Sequence, residues 1–241
     1  MLDFGKQPGW VAPHRQMISS LSSFHILLLG ACVLVLPTTA LRGQTTAAPR
    51  DDTQVWTEVQ VAKSINSKTD VVLLGIMRFG RNVRRPVNER IGAGISFKLG
   101  KYLTVFPFYL HVAAQPIRTN HNTEERITLE ATARIPLGKF LFIDRNRVEF
   151  HFHSPPPNFT QYRNRMQIEH ELGFGGLHGF VADEVFYDSL AAAWIRNRMY
   201  AGIAKKVNKH FTIEVYYVRQ NDSHSHPGDI HALGSTFKFH L

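Results

Sequence analysis

The sequence predicts an all-β fold, an antiparallel transmembrane β-barrel of a bacterial outer membrane, on three observations. Beyond about residue 50, apolar and polar residues alternate along segment after segment, which is the period of a strand with one dry and one wet face. The candidate strands reach roughly 10 to 13 residues, the length of a tilted strand that crosses a bilayer, whereas soluble strands average about 5 or 6. Tight turns also alternate with longer polar loops, as at the two ends of an outer-membrane barrel.

The candidate strands are odd in number. They lie at 53–63, 69–80, 87–98, 101–114, 123–135, 140–153, 161–172, 179–187, 193–204, 209–220 and 229–241. Bacterial barrels of this class have an even number of strands. We therefore predict 12 strands, with 10 as the alternative. The odd number of candidates then means that the list lacks one strand, that one candidate lies outside the wall, or that the first segment enters through the lumen.

The connections are expected to differ between the two ends of the barrel. Tight turns are predicted near 99–101, 136–139, 174–177 and 205–208, and longer loops near 82–86, 115–122, 154–160, 187–191 and 220–229. Short turns are typical of the periplasmic end.

The last strand ends the chain on an apolar residue. Leu233, Phe237, Phe239 and Leu241 share one face of it. This pattern predicts a lipid-facing terminal strand, with Phe237, Phe239 and Leu241 as the signal for the barrel-assembly machinery.

The N-terminus has the form of a secretory signal peptide. Basic residues precede an apolar stretch from Phe24 to Leu36, and small residues follow up to Ala40, which is the order of a cleavable signal. We expect residues 1–40 to be the signal peptide and residues 41–241 the barrel domain, with Gly43 as the alternative cleavage point. Cys32 lies within the signal, so the mature chain has no thiol for catalysis, disulfides or thiolate metal sites.

Charged residues on the polar faces of the strands are expected to line the lumen, because an isolated charge facing lipid is costly. This set comprises Glu58, Arg90, Arg126, Glu130, Arg134, Arg147, Glu149, Arg163, Arg165, Glu169, Glu171, Glu184, Arg196, Arg198 and Glu214. They predict either a salt-bridged filling of a narrow barrel or an ion-lined path. Arg196 and Arg198 are expected to pair with Glu184 or Glu214 on a neighbouring strand.

The formal net charge of +9 points to an anionic neighbour. Single charges at alternating positions do not form the long basic run of a nucleic-acid site, so we expect no nucleic acid and favour lipopolysaccharide and outer-membrane lipid as partners. No cofactor or metal site is predicted, although the loop from Asp222 to Asp229 contains His224 and His226. The oligomeric state is not predicted.

Thirteen histidines raise the possibility of an enzyme. Outer-membrane phospholipases pair His with Ser on one wall face, as His-x-Ser, and no such motif occurs in this chain. His153 and Ser154 are adjacent and point to opposite faces, while His210 and Thr212 have the spacing with a weaker hydroxyl. The sequence does not predict catalysis.

Aromatic residues are expected to form interfacial girdles at the two membrane surfaces. The candidates are Trp56, Tyr102, Trp194, Tyr216 and Tyr217.

Short motifs across the mature chain carry a family resemblance. They lie at 51–56, 145–147, 162–165, 183–187, 196–202 and 214–220. In these the chain resembles the uncharacterised bacterial outer-membrane family known as domain of unknown function 2490, which implies an outer-membrane β-barrel and supplies no catalytic residues. We therefore expect a non-enzymatic, porin-like barrel, structural or a narrow small-solute channel. The alternatives are a lipid-modifying barrel enzyme of the acyl hydrolase type and a secreted soluble β-domain.

Overall fold

The computed structural model describes residues 50–117, 120–154, 156–173, 175–225 and 227–241. The predicted signal peptide of residues 1–40, its cleavage site and Cys32 lie outside the described residues. No helix in the described part of the chain is long and apolar enough to cross a membrane.

Eleven strands form one closed barrel in which neighbours in sequence are neighbours in the wall. They are β1 (Asp51–Asn66), β2 (Thr69–Gly80), β3 (Arg85–Leu99), β4 (Leu103–Ile117), β5 (Asn120–Leu137), β6 (Phe140–Ser154), β7 (Phe159–Glu171), β8 (Leu177–Asp188), β9 (Ala193–Lys206), β10 (Phe211–Asp222) and β11 (Asp229–His240). Each predicted strand is present, and eight of the eleven are longer than predicted, by one to five residues.

The barrel closes through a parallel pair. β1 runs beside β11 from Asp51 opposite Asp229 to Ala62 opposite His240, and all other neighbours are antiparallel hairpins. Each hairpin reverses the chain, so an odd number of strands brings the first and last together in the same direction. The predictions of 12 strands and of 10 are therefore wrong, because the expectation of an even number, rather than any strand assignment, was at fault.

The two ends of the barrel are named here by the chain segments they carry. The N-terminal end carries Asp51 and the connections 81–84, 118–119, 155–158, 189–192 and 223–228, and the C-terminal end carries Leu241 and the connections 67–68, 100–102, 138–139, 172–176 and 207–210. The contrast in loop length is smaller than predicted, with connections of two to six residues at the N-terminal end and two to five at the C-terminal end, because the strands continue into the polar segments. In the expected loop 115–122, for example, β4 extends to Ile117 and β5 begins at Asn120.

Apolar side chains cover the outside of the wall. Ile91, Ile127, Leu129 and Val181 each expose half or more of their surface on the outer face. The same face of β11 presents Leu233, Phe239 and Leu241, with exposed fractions of 57%, 39% and 65%. The predicted face of the terminal strand is therefore the outer one.

A bulge re-aims one residue at the start of β9. Phe186 pairs with Arg196 and Tyr187 with Trp194, so Ile195 is the extra residue between them. An extra residue shifts the alternation of faces. Ile195 is consequently buried, although simple alternation placed it on the apolar outer face.

The aromatic girdle prediction is partly wrong. Tyr102, Trp194 and Tyr217 are exposed, whereas Trp56 is buried in an interior cluster against which Tyr216 packs. Trp56 and Tyr216 follow the inward alternation of β1 and β10, which carries apolar as well as charged residues.

Candidate functional site

The barrel interior holds the candidate site. A cavity of about 520 Å³ runs from the middle of the barrel to its C-terminal end. Most of the charged residues predicted for the lumen line this cavity: Glu58, Arg90, Arg126, Glu130, Arg134, Arg147, Glu149, Arg163, Arg165, Glu169, Arg198 and Glu214. Glu184 is buried in the same interior, Arg196 pairs with Asp222 at the N-terminal end, and Glu171 is exposed at the end of β7.

Two buried glutamates organise the middle of the interior. Glu149 accepts hydrogen bonds from Arg126 (3.2 Å) and Arg163 (2.7 Å). Glu184 accepts from Arg163 (2.8 Å), Arg145 (2.9 Å) and Tyr200 (2.7 Å). Arg163 therefore bridges both carboxylates, and each charge has a partner of opposite sign, as burial away from water requires.

Aromatic rings complete this layer. The guanidinium of Arg78 lies 3.9 Å and that of Arg198 lies 5.0 Å from the ring centre of Trp56. Phe186 is stacked by Arg163 and Arg198 at 4.5 and 4.7 Å. Cation–π contacts of this kind strengthen where water is excluded, so the rings stabilise the buried arginines in addition to the carboxylates.

The predicted pairing of Arg196 and Arg198 is partly correct. Arg198 lies opposite Glu184 in the sheet, with Nη1 4.0 Å from its carboxylate, and donates a shorter hydrogen bond to Gln220 (2.7 Å). Arg196 pairs with Asp222 instead. Glu214 takes Lys238 as its partner, at 2.5 Å.

A histidine–carboxylate cluster lies in the interior at the N-terminal end. Glu124 of β5 faces His151 and His153 of β6, and one ligand-type atom from each lies within 4.8 Å of the others. Phe159 stacks on both imidazoles, with ring centres 4.2 and 5.3 Å away. In the sequence, His151 and His153 alternate with Phe150 and Phe152, so both histidines share one face of β6, but this pattern does not indicate their carboxylate partner.

The hairpin register brings these residues together. β5 and β6 are joined through residues 138–139, and the resulting pairing sets Glu124 directly opposite His153. Gly138 has φ +63° in this turn, a conformation that glycine adopts without strain. Counting outward from the tight turn in the sequence could have found the cluster.

The outer wall has polar features among its apolar side chains. Glu125 accepts hydrogen bonds from Tyr109 and pairs with His111 at 2.8 Å. On β6 and β7, Asn164 donates to Asp144 (2.7 Å) and to Asn146 (3.0 Å). These groups satisfy one another, which lowers the cost of placing them on an apolar surface.

An apolar groove of about 480 Å³ crosses the outer wall over β1 to β4, and Gly75, Glu89 and His111 are among its lining residues.

In the described part of the chain, one histidine side chain contacts a serine hydroxyl. This is His224, which lies 2.8 Å from Ser223 in the exposed 223–228 loop. His210 contacts the carbonyl of His240 rather than Thr212.

Asp222 organises the loop from Asp222 to Asp229, which contains His224 and His226. Its carboxylate accepts from the backbone amides of His224 (2.7 Å) and Ser225 (2.9 Å) and also pairs with Arg196. His226 lies outside the described residues. Asp222 thus shapes its own loop.

Comparison with known proteins identifies the family alone. No curated protein and no solved structure matches the chain. The model of one family, described as Protein of unknown function (DUF2490), matches residues 53–231. This match covers the wall from β1 into β11, and the chain belongs to that family.

Proposed function

We propose that the protein is a non-enzymatic β-barrel of the bacterial outer membrane with a largely closed interior. Its role is structural, with at most narrow passage of small solutes. The observation that carries this proposal is the arrangement of polarity: exposed apolar side chains outside and paired charges inside. Large contiguous apolar surface is rare on soluble monomers and marks contact with a membrane or a partner.

The dimensions support the same proposal. The strands contain 12 to 18 residues, and about 9 to 11 tilted residues cross a bilayer. Every strand is therefore long enough to span the hydrocarbon region with residues to spare. Closure leaves no unpaired edge, which the interior of a membrane requires.

The filled interior favours a closed barrel over an open channel. Glu149, Glu184, Phe186 and Val218 each expose at most 1% of their surface. A water-filled pore would leave such side chains wet. The residues that line the cavity lie between the middle of the barrel and its C-terminal end, so we propose a cup closed near its middle.

A lipid-modifying enzyme is the second candidate, and the observation in its favour is the outer groove lined by His111, which pairs with Glu125. Acyl hydrolysis needs a nucleophile beside its base. In the described part of the outer wall, no serine or threonine hydroxyl contacts His111. The geometry therefore supports the non-enzymatic role better.

Location and partners follow from the same surface. We propose export to the outer membrane, insertion by the barrel-assembly machinery through the strand that ends in Phe237, Phe239 and Leu241, and contact with lipopolysaccharide through basic groups at the barrel ends. A soluble secreted β-domain would have no use for the apolar outer face.

A matched pair of charge insertions tests the membrane proposal. Leu129 and Leu137 both face outward on β5, at its middle and its last position, with exposed fractions of 50% and 58%. In a bilayer, Leu129→Arg should cost about 2–4 kcal/mol and Leu137→Arg about 0–1 kcal/mol. Unfolding is followed in lipid vesicles by the shift in gel mobility on heating.

Fractionation supplies the independent check. The wild-type chain should sediment with outer membranes and resist extraction by high salt. Recovery as a soluble periplasmic protein, or equal and negligible effects of the two arginine substitutions, would reject the membrane proposal.

A further inference from the structure

We propose that Glu124, His151 and His153 bind a divalent transition-metal ion of the class Zn²⁺, Ni²⁺ or Cu²⁺. The site lies inside the barrel near its N-terminal end, where the three residues place one ligand-type atom each within 4.8 Å of one another. Two imidazoles and one carboxylate are ligands that these ions accept together.

The state of His151 is the first independent observation. Its side chain exposes only 4% of its surface, and neither ring nitrogen has a hydrogen-bond partner. Nδ1 lies 2.9 Å from Oε1 of Glu124, but the directions are not those of a hydrogen bond. Buried polar atoms without partners are uncommon and costly, and a bound cation between the nitrogen and the carboxylate would supply the missing partner.

The spacing fits a compact coordination sphere. His151 Nδ1 lies 2.9 Å and His153 Nε2 lies 3.5 Å from oxygens of Glu124. Ligands about 2.0–2.1 Å from a tetrahedral ion are separated from each other by about 3.3 Å. The three atoms, which lie within 4.8 Å of one another, would move closer by side-chain rotation on binding one ion.

Neighbouring groups would orient the ligands. His151 Nε2 lies 3.4 Å from Oε2 of Glu149, which is where a metal-binding imidazole commonly directs its other N–H. Arg126 donates to Glu124 (2.6 Å) and to Glu149 (3.2 Å), so it fixes both carboxylates. Phe159 covers the imidazoles on one side.

The ligands differ in their exposure to solvent. His153 is the most exposed of the three ligands, at 24% of its side chain, so an ion can enter from the N-terminal end and one coordination position stays open to solvent.

The test is metal binding by the full-length protein, purified in detergent without a polyhistidine tag and stripped with a chelator. Titration with Zn²⁺, Ni²⁺ and Cu²⁺ against a chromophoric competitor should give one tight ion per chain, confirmed by elemental analysis after dialysis. His151→Ala and His153→Ala should each weaken binding about 100-fold, and Glu149→Gln about 10- to 100-fold. His170→Ala, on the outer face of β7, is the matched control and should bind as the wild type does.

Two further readouts keep the result decisive if a variant misfolds. The mobility shift on heating identifies variants that have lost the barrel, and Cu²⁺ bound to the wild-type protein should show electron paramagnetic resonance couplings to two imidazole nitrogens. The absence of a tight ion, a copper signal without nitrogen couplings, or equal affinities for wild type, His151→Ala and His153→Ala would overturn the proposal. The outcome does not depend on whether the barrel lies in a membrane.

Discussion

The two halves of the barrel interior differ in how their charged side chains are paired and in how far they are buried. From the middle toward the N-terminal end, Glu149 and Glu184 are fully buried and share the guanidinium group of Arg163. Toward the C-terminal end, Glu214 and Lys238 form a single pair with about a quarter of each side chain exposed. Charged side chains therefore form a shared network of buried ion pairs in one half of the interior and a separate, partly hydrated ion pair in the other.

The largest expected effect is that of Glu184→Ala. The substitution leaves Arg163 and Arg145 without this carboxylate in a buried site, and stranding buried charge costs about 3–5 kcal/mol. Thermal unfolding in lipid vesicles measures it. Replacing Arg145 by Gln in the same chain should recover part of the loss, because Arg145 pairs with Glu184 whereas Arg163 keeps Glu149. Full stability of Glu184→Ala alone would show that water reaches this layer.

Trp56→Ala tests whether the rings close the barrel. Truncating a buried Trp costs about 3 kcal/mol, near the low end of the usual range because the adjacent cavity lets neighbours relax. The variant should also pass ions in planar bilayers at a higher rate than the wild-type protein. Trp194→Ala, on the outer wall with 58% exposure, is the control for conductance and should leave it unchanged.

Gly234→Ala tests packing at the boundary between the halves. An added Cβ would lie 2.1 Å from the Tyr216 ring, and overpacking of this kind costs about 1–3 kcal/mol. Gly75 has no atom within 4 Å of the corresponding position. Unfolding of Gly75→Ala should therefore match the wild type, and equal stabilities of the two variants would contradict the close approach of Tyr216.

Lys238→Met should have the smallest effect. Its pair with Glu214 is partly exposed, and pairs of this type contribute about 0–1 kcal/mol. The same thermal measurement is used. A loss as large as that of Glu184→Ala would abolish the distinction between the two halves.

Alternation in the sequence predicts the strands and most faces, because a half-buried strand must separate polar from apolar residues. It does not predict that the barrel closes through a parallel pair, since the pairing of β1 with β11 leaves no local pattern. The expectation of aromatic girdles misplaces Trp56 and Tyr216, because a narrow lumen buries aromatic rings beside arginines. Alternation fails at Ile195, because a bulge shifts the faces of the strand there. It also does not predict the cluster around Glu124, because that prediction needs the pairing register of β5 and β6 and not only the period of one strand.

The parallel seam between β1 and β11 gives the fold an order of assembly. Every other contact in the wall joins strands that follow one another, so hairpins can form as short loops close at modest entropic cost. The seam joins residues as far apart as Asp51 and Asp229, and parallel pairing is slightly weaker per residue than antiparallel pairing. We expect the sheet to grow hairpin by hairpin, with the pairing of β1 and β11 formed last. We also expect the closed barrel to separate first at this pairing when mechanical force is applied.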